Sequence, residues 1–178
     1  MTESRRETAL ITAVPDGEPV VGRWRRRHDT SAAAGVPPHI TLLYPFAPPE
    51  RIDPAMLAGL HALFATLPPV HLTLAGICAF PNVLYLAPEP AAPFDRMIAA
   101  LRARYPELPP YGGTIADPIP HLTVADTSDR AAFDSVVDDF VAEAASALPV
   151  RCVVRDIRLI AQDVAGRWQP LSTFALSG

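Results

Sequence analysis

The segment 38–42, Pro-His-Ile-Thr-Leu, and its near repeat at 120–124, Pro-His-Leu-Thr-Val, decide the fold of this chain. Alternate side chains of an extended strand share one face. His39 and Thr41 therefore point to one side and the apolar residues to the other, and the second copy repeats this arrangement. Each segment predicts a short strand that is anchored in the core by one face and presents an imidazole and a hydroxyl on the other.

The elements around these two segments follow the same order twice, strand–helix–strand–helix–strand, and each His–Thr segment lies in the middle strand. His39 and His121 are 82 residues apart, and Val70 and Val150, which begin the third strands, are 80 apart. These matching offsets indicate an internal repeat. The predicted strands lie at 8–14, 39–44, 70–80, 83–87, 121–124 and 150–160, and the predicted helices at 18–28, 54–67, 94–105 and 129–144.

The repeat predicts one α+β domain over 1–178, built as a bilobal pseudo-twofold duplication. We expect lobes at about 8–80 and 83–160 and a closing strand at 167–176. Two mainly antiparallel sheets would face a central cleft, with the helices outside. The two His–Thr strands would line that cleft.

Composition limits the class of protein. Of the 178 residues 49% are hydrophobic and 19% charged, which is typical of a globular chain with one sizeable core. The net charge is −4 and the pI about 5.7, so we expect any nucleic acid to be held locally and not on a broad basic surface. Because we find neither a signal peptide nor an apolar stretch of membrane-spanning length, we expect a cytoplasmic protein with no membrane partner. We expect a monomer, although the sequence leaves the oligomeric state open. Cys78 and Cys152 lie in apolar runs and predict buried, reduced thiols.

Two imidazoles across a polar cleft suit general acid–base catalysis. One neutral His removes a proton from an attacking oxygen, while one protonated His gives a proton to the leaving oxygen. In-line displacement at phosphorus needs one such group on each side, and the Thr hydroxyls can donate to phosphate oxygens. The nearest acid after His121 is Asp126, and no His-Glu-x-x-His zinc motif is present. We therefore predict no metal site.

The stretches PHITLLYPF (38–46) and PHLTVA (120–125) resemble the paired motifs of the 2H phosphoesterase superfamily, specifically its bacterial 2′-5′ RNA ligase-like and cyclic phosphodiesterase branch. The resemblance implies a bilobal fold and chemistry without metal or cofactor. The implied substrate is a nucleotide or RNA end with a 2′,3′-cyclic phosphate, or a 2′-5′ linkage. It also implies that His39 and His121 are the catalytic pair and that Thr41 and Thr123 bind the phosphate.

Some aromatic and arginine side chains, and the function itself, can be interpreted in two ways. Tyr44, Phe46 and Tyr111 can stack on a base or can pack in the protein, and we take Tyr44 and Tyr111 as candidate substrate-binding residues. The arginines of 23–27 form a solvated helix face or steer a polyanion. Two other functions compete with a phosphoesterase. One is a nucleotide- or RNA-binding module without turnover. The other is a metal hydrolase, which the lack of carboxylate ligands near the histidines disfavours.

A third His-x-Thr pattern occurs at 70–74, Val-His-Leu-Thr-Leu. It lacks the preceding proline of the other two copies and lies in a third strand. Alignment of the repeats places Arg151 and Val153 opposite His71 and Thr73. We therefore predict that His71 is structural and lies near the outer face of the sheet.

Overall fold

The computed structural model describes residues 6–178 and has an α+β fold. The strands are β1 (Thr8–Ala13), β2 (His39–Leu43), β3 (Val70–Phe80), β4 (Val83–Glu89), β5 (Leu122–Asp126), β6 (Val150–Val154), β7 (Asp156–Gln162) and β8 (Trp168–Ala175). The helices are α1 (Glu18–His28), α2 (Thr30–Ala33), α3 (Pro54–Ala65), α4 (Ala92–Arg104) and α5 (Arg130–Ala144). Short 3₁₀ turns lie at Pro15–Gly17, Pro49–Arg51 and Pro110–Gly113.

The strands of the described chain form one antiparallel sheet in the order β6-β3-β4-β5-β2-β1-β7-β8. The prediction of two separate sheets is therefore wrong. The two motif strands β2 and β5 meet through the pair Ile40 and Leu122, and both of these side chains are fully buried. The apolar sides of both strands lie in one hydrophobic cluster. The edge-to-edge pairing of β2 with β5 joins the two halves of the sheet.

Strand pairing also crosses the predicted boundary between the lobes 8–80 and 83–160. β3 lies before that boundary but pairs with β4 and β6, whereas β7 lies after it and pairs with β1. The single strand predicted at 150–160 is two strands, interrupted at Arg155. The interruption is needed because β6 pairs in one half of the sheet and β7 in the other.

The two motif strands show the predicted alternation. His39 and Thr41 of β2 are half-buried, and so are His121 and Thr123 of the second motif. The residues between them, each at most 2% exposed, are Ile40, Leu42, Leu122 and Val124. The apolar face of each segment thus anchors its polar face in a defined direction.

Helix starts follow the capping chemistry that the sequence indicates. Asp53 accepts a hydrogen bond from the backbone N of Met56 at 2.7 Å and so caps the start of α3. Asp129 caps α5 by accepting from the backbone N of Ala131 and Ala132. The short helix α2 lies outside the four predicted helices. None of the helices in residues 6–178 combines the length and apolarity needed to span a membrane.

Candidate functional site

The two motif strands form the floor of one cavity of about 650 Å³. All four motif side chains line it: His39, Thr41, His121 and Thr123. The structure thus brings together the residues that the sequence places on the inner faces of β2 and at the start of β5. Cys78 is half-buried and Cys152 is buried, both as free thiols outside this cavity.

Both imidazoles are held by the same kind of hydrogen bond. His39 Nδ1 lies 2.8 Å from the carbonyl oxygen of Pro37, and His121 Nδ1 lies 2.7 Å from that of Ile119. Because a carbonyl oxygen only accepts, each Nδ1 carries a hydrogen and donates it. This leaves Nε2 of each ring as the nitrogen that can exchange a proton with a ligand.

The two histidines differ in their electrostatic surroundings. Burial, and after it the Arg25 charge, lower the pKa of His39 to about 4, against the opposing effects of the Pro37 hydrogen bond and Asp29. Burial also lowers the pKa of His121, while the Ile119 hydrogen bond and Asp126 raise it. His39 is therefore neutral at neutral pH, and His121 has a carboxylate nearby that favours its protonated form.

Arg25 is a part of this site that the sequence interpretation missed. Its side chain is 2% exposed, and its Nε donates to Asp29 Oδ2 at 2.9 Å. Its Nη2 donates to Ser31 Oγ at 3.1 Å, and both Asp29 and Ser31 line the cavity. The solvated helix face predicted for 23–27 is right for Arg23, Arg26 and Arg27, which are exposed, and wrong for Arg25.

A sequence signal for the burial of Arg25 does exist. Arg25 follows the buried Val21 by four positions and Trp24 by one, so it belongs to the apolar stripe of α1. Asp29 follows Arg25 by four positions, the spacing at which opposite charges meet on a helix. An arginine on the buried stripe with an acid at that distance indicates a buried ion pair.

Aromatic side chains form one wall of the cavity. The Tyr44 ring lies 6.1 Å from the Tyr111 ring and 6.2 Å from the Trp168 ring, measured between centroids. Tyr44 Oη donates to Glu7 Oε2 at 2.5 Å, and burial, followed by this hydrogen bond, raises the pKa of Tyr44 to about 12. The structure places Tyr44 and Tyr111 at the cavity as the sequence suggested, and adds Trp168 at the start of β8.

The backbone of Tyr111 has an unusual conformation. Its φ of 52° and ψ of 36° lie in the left-handed region, which non-glycine residues rarely adopt. Its backbone N donates to the carbonyl oxygen of Tyr44 at 2.6 Å. This bond ties the loop to the end of β2, so that both tyrosines reach the same wall.

Phe46 does not reach the cavity. It is 3% exposed and packs in the core against Tyr105, with 5.4 Å between ring centroids, so a base-stacking role for Phe46 is wrong. Two other aromatic residues contact His121 instead. The centroids of the Phe80 and Tyr85 rings lie 5.2 and 5.3 Å from that of the imidazole. These contacts limit how the His121 ring can turn.

The remaining histidines lie away from the cavity. His71 is exposed on β3, where it pairs with Val153 of β6. His28 is half-buried and stacks on Trp24, and His61 is exposed and contacts Phe174 edge-on. Across residues 6–178, no three His, Cys, Asp or Glu side chains are grouped closely enough to hold a metal ion.

The chain is similar to known proteins in sequence. The family model described as the 2′-5′ RNA ligase superfamily matches residues 13–166. A protein of Geobacillus kaustophilus whose name assigns it to the phosphoesterases is 34% identical over 77 residues, which are 42% of this chain and 44% of that relative. A similarly named protein of Geobacillus thermodenitrificans is 36% identical over 69 residues, 37% of this chain and 39% of the relative. The match thus spans less than half the length of either curated relative.

Solved structures share the fold. Escherichia coli LigT complexed with NADP+ has a TM-score of 0.59 and 19% identity, with 98% of this chain and 99% of LigT covered. The protein TT0787 of Thermus thermophilus has a TM-score of 0.59 and 20% identity, with 97% and 98% covered. This likeness shows a common fold. The chain belongs to the 2′-5′ RNA ligase superfamily.

Proposed function

We propose that this chain is a metal-independent phosphoesterase acting on 2′,3′-cyclic phosphate ends or 2′-5′ linkages of RNA or nucleotides. The observation that carries this proposal is the matched pair His39 and His121. Both line one cavity, and both donate from Nδ1 to a backbone carbonyl, which leaves Nε2 for the reaction. A two-histidine mechanism uses one such nitrogen on each side of the phosphorus.

The surroundings of the two rings favour different roles in hydrolysis. Neutral His39 takes a proton from water as the water oxygen forms its bond to phosphorus. Protonated His121, favoured by Asp126, gives its proton to the ribose oxygen as the bond from that oxygen to phosphorus breaks. Thr41 and Thr123 donate hydrogen bonds to the non-bridging oxygens. The product is a nucleoside 2′- or 3′-monophosphate.

The aromatic wall gives the nucleoside a place to bind. Tyr44, Tyr111 and Trp168 present ring surfaces to the cavity, and aromatic faces accept any base. LigT, which shares the fold, has been crystallised with NADP+ and with 3′-AMP. We propose that a base of the substrate packs against this wall while its phosphate lies between the histidines.

We also propose that the chain is an internal duplication of two lobes. The strand order supports this, because it is the same in both directions from the β5–β2 junction. On one side β5 is followed by β4, which precedes it in sequence, and then by β3 of the other predicted lobe. On the other side β2 is followed by β1, which precedes it, and then by β7 of the other predicted lobe. Location in the cytoplasm and a monomeric state remain predictions from the sequence.

Turnover should show a bell-shaped dependence on pH with its maximum on the acid side of neutrality. The kcat/KM of the reaction should rise as His39 loses its proton near pH 4 and fall as His121 loses its proton below the ordinary value of 6.5. A bound phosphate anion favours protonated His121, so the alkaline limb of kcat should lie at higher pH than that of kcat/KM. A profile of kcat/KM that keeps rising above pH 8 would contradict these roles.

Chelation should leave turnover unchanged, because imidazoles perform both proton transfers in this scheme. The assay uses a panel of 2′,3′-cyclic nucleotides and oligonucleotides ending in a cyclic phosphate, with and without EDTA, and identifies the products. Loss of activity that zinc or manganese restores would favour a metal hydrolase. Binding of the panel without any turnover would favour a nucleotide-binding module.

His71→Ala should leave turnover within about threefold of the wild type, far below the scale of an acid–base group. His71 is exposed on β3 and does not line the cavity. The comparison is made at saturating substrate, with circular dichroism as the check on folding. A loss of ~10²-fold with the fold intact would require that the catalytic pair be reassigned.

A further inference from the structure

We infer that the cavity selects a nucleotide whose cyclic phosphodiester is its only negative charge, and that Asp126 is the main residue excluding more highly charged ligands. The inference rests on the proposed function and adds the substrate class to it: a cyclic mononucleotide with an unphosphorylated 5′ end.

The charges around the cavity carry this inference. Two carboxylates line it, Asp29 and Asp126, together with the imidazoles of His39 and His121. All 15 basic residues of the sequence are arginines, and none of those within residues 6–178 lines the cavity. Among the described residues, the cavity therefore offers a phosphate ligand hydroxyl and imidazole donors, but no guanidinium or ammonium group.

Arg25 does not supply a positive charge that a ligand in the cavity can contact. It lies behind Asp29 with 2% of its side chain exposed, and its Nε is used in the 2.9 Å bond to Asp29. Its Nη2 is used in the bond to Ser31. The charge of Asp29 is thus matched within the protein, whereas Asp126 makes no ion pair among the described residues. Asp126 remains the unmatched negative charge beside His121.

Neutral donors suit a phosphodiester, which carries one charge. Thr41 and Thr123 can satisfy its two non-bridging oxygens without a cation. A 5′-phosphate adds a second group with a charge of about −1.5 to −2 at pH 7, which has no partner here and is repelled by Asp126. Because Asp126 is exposed, salt screens this repulsion, which should be strongest at low ionic strength.

The same charges favour release of the product. Hydrolysis turns the diester into a phosphomonoester, whose second ionisation has a pKa of about 6. The negative charge between the histidines thus grows during the reaction while the carboxylates stay in place. The product is bound more weakly than the substrate, so product inhibition should be weak.

The test compares three ligands of one nucleoside 2′,3′-cyclic phosphate, with a 5′-hydroxyl, a 5′-O-methyl group or a 5′-phosphate. The methyl ether adds bulk without charge. We expect kcat/KM to be similar for the first two and about threefold to tenfold lower for the 5′-phosphate at low salt. That difference should shrink as the ionic strength rises.

Variants assign the effect to a residue. Asp126→Asn should bring the ratio of kcat/KM for the 5′-hydroxyl and 5′-phosphate ligands toward one. Asp138→Asn, the same charge change at an exposed position of α5, should leave that ratio at the wild-type value. Comparing ligands within each variant cancels any effect of Asp126 on His121 itself.

Three results would overturn the inference: equal or faster turnover of the 5′-phosphate at low salt, an equal loss with the methyl ether, or an unchanged ratio in Asp126→Asn. If none of the three ligands is turned over, the proposed function fails. Calorimetric affinities of the same three ligands then test the charge selection by itself.

Discussion

Replacing His39 or His121 by Ala should lower turnover of a 2′,3′-cyclic nucleotide by ~10²–10⁴-fold in each case, the scale of one acid–base group. In the proposed mechanism each substitution removes the Nε2 on one side of the phosphorus, while the other residues that line the cavity are kept. The double variant should be far less impaired than the product of the two losses, because both groups act in the same step.

The measurement is kcat at saturating substrate, with His71→Ala as the matched control. That control removes an imidazole from the same His-x-Thr pattern on an exposed position of β3. Near-full activity of either single variant on every cyclic phosphate in the panel would contradict the assignment of His39 and His121 as the catalytic pair. So would losses in the double variant equal to the product of the single losses.

Arg25→Met should lower the free energy of unfolding by about 3–5 kcal/mol, the usual cost of removing one member of a buried ion pair. Arg25 and Asp29 are 2% and 7% exposed, so the substitution leaves the Asp29 carboxylate buried without its cation. It also removes the donor to Ser31. Denaturant unfolding followed by circular dichroism measures the change.

Arg26→Met is the control for this substitution. Arg26 pairs with Glu18 on the solvent side of the same helix, and exposed pairs contribute at most about 1 kcal/mol. In a double-mutant cycle, Arg25→Met combined with Asp29→Asn should cost clearly less than the sum of the single changes. A cost for Arg25→Met no larger than that for Arg26→Met would show that the buried pair adds nothing to stability.

The sequence predicted best what depends on local periodicity. The faces of the two motif strands follow from a period of two, and the starts of α3 and α5 follow from Asp53 and Asp129 as caps. The number of sheets was not predictable in this way. It depends on whether β2 and β5 meet edge to edge, a contact between residues 82 positions apart. The break at Arg155 likewise depends on the partners of β6 and β7.

The sequence predicted those residues of the candidate site that belong to the repeated His–Thr motif. His39, His121 and the two threonines come from that motif, whereas Trp168 and Phe80 reach the cavity through the tertiary fold. No local pattern distinguishes these aromatics from core residues such as Phe46. Arg25 is an intermediate case, since its position on the stripe of α1 was readable but the surrounding arginines favoured a solvated face.

The junction between β5 and β2 has a mechanical consequence. Each motif strand is held to its own half of the sheet by a longer ladder, but the two strands join each other through the pair of Ile40 and Leu122 in the described chain. The two halves of the sheet are thus joined along one narrow line, and each half carries one imidazole. A phosphate bound by Thr41 and Thr123, as we propose, would connect the two halves of the sheet a second time.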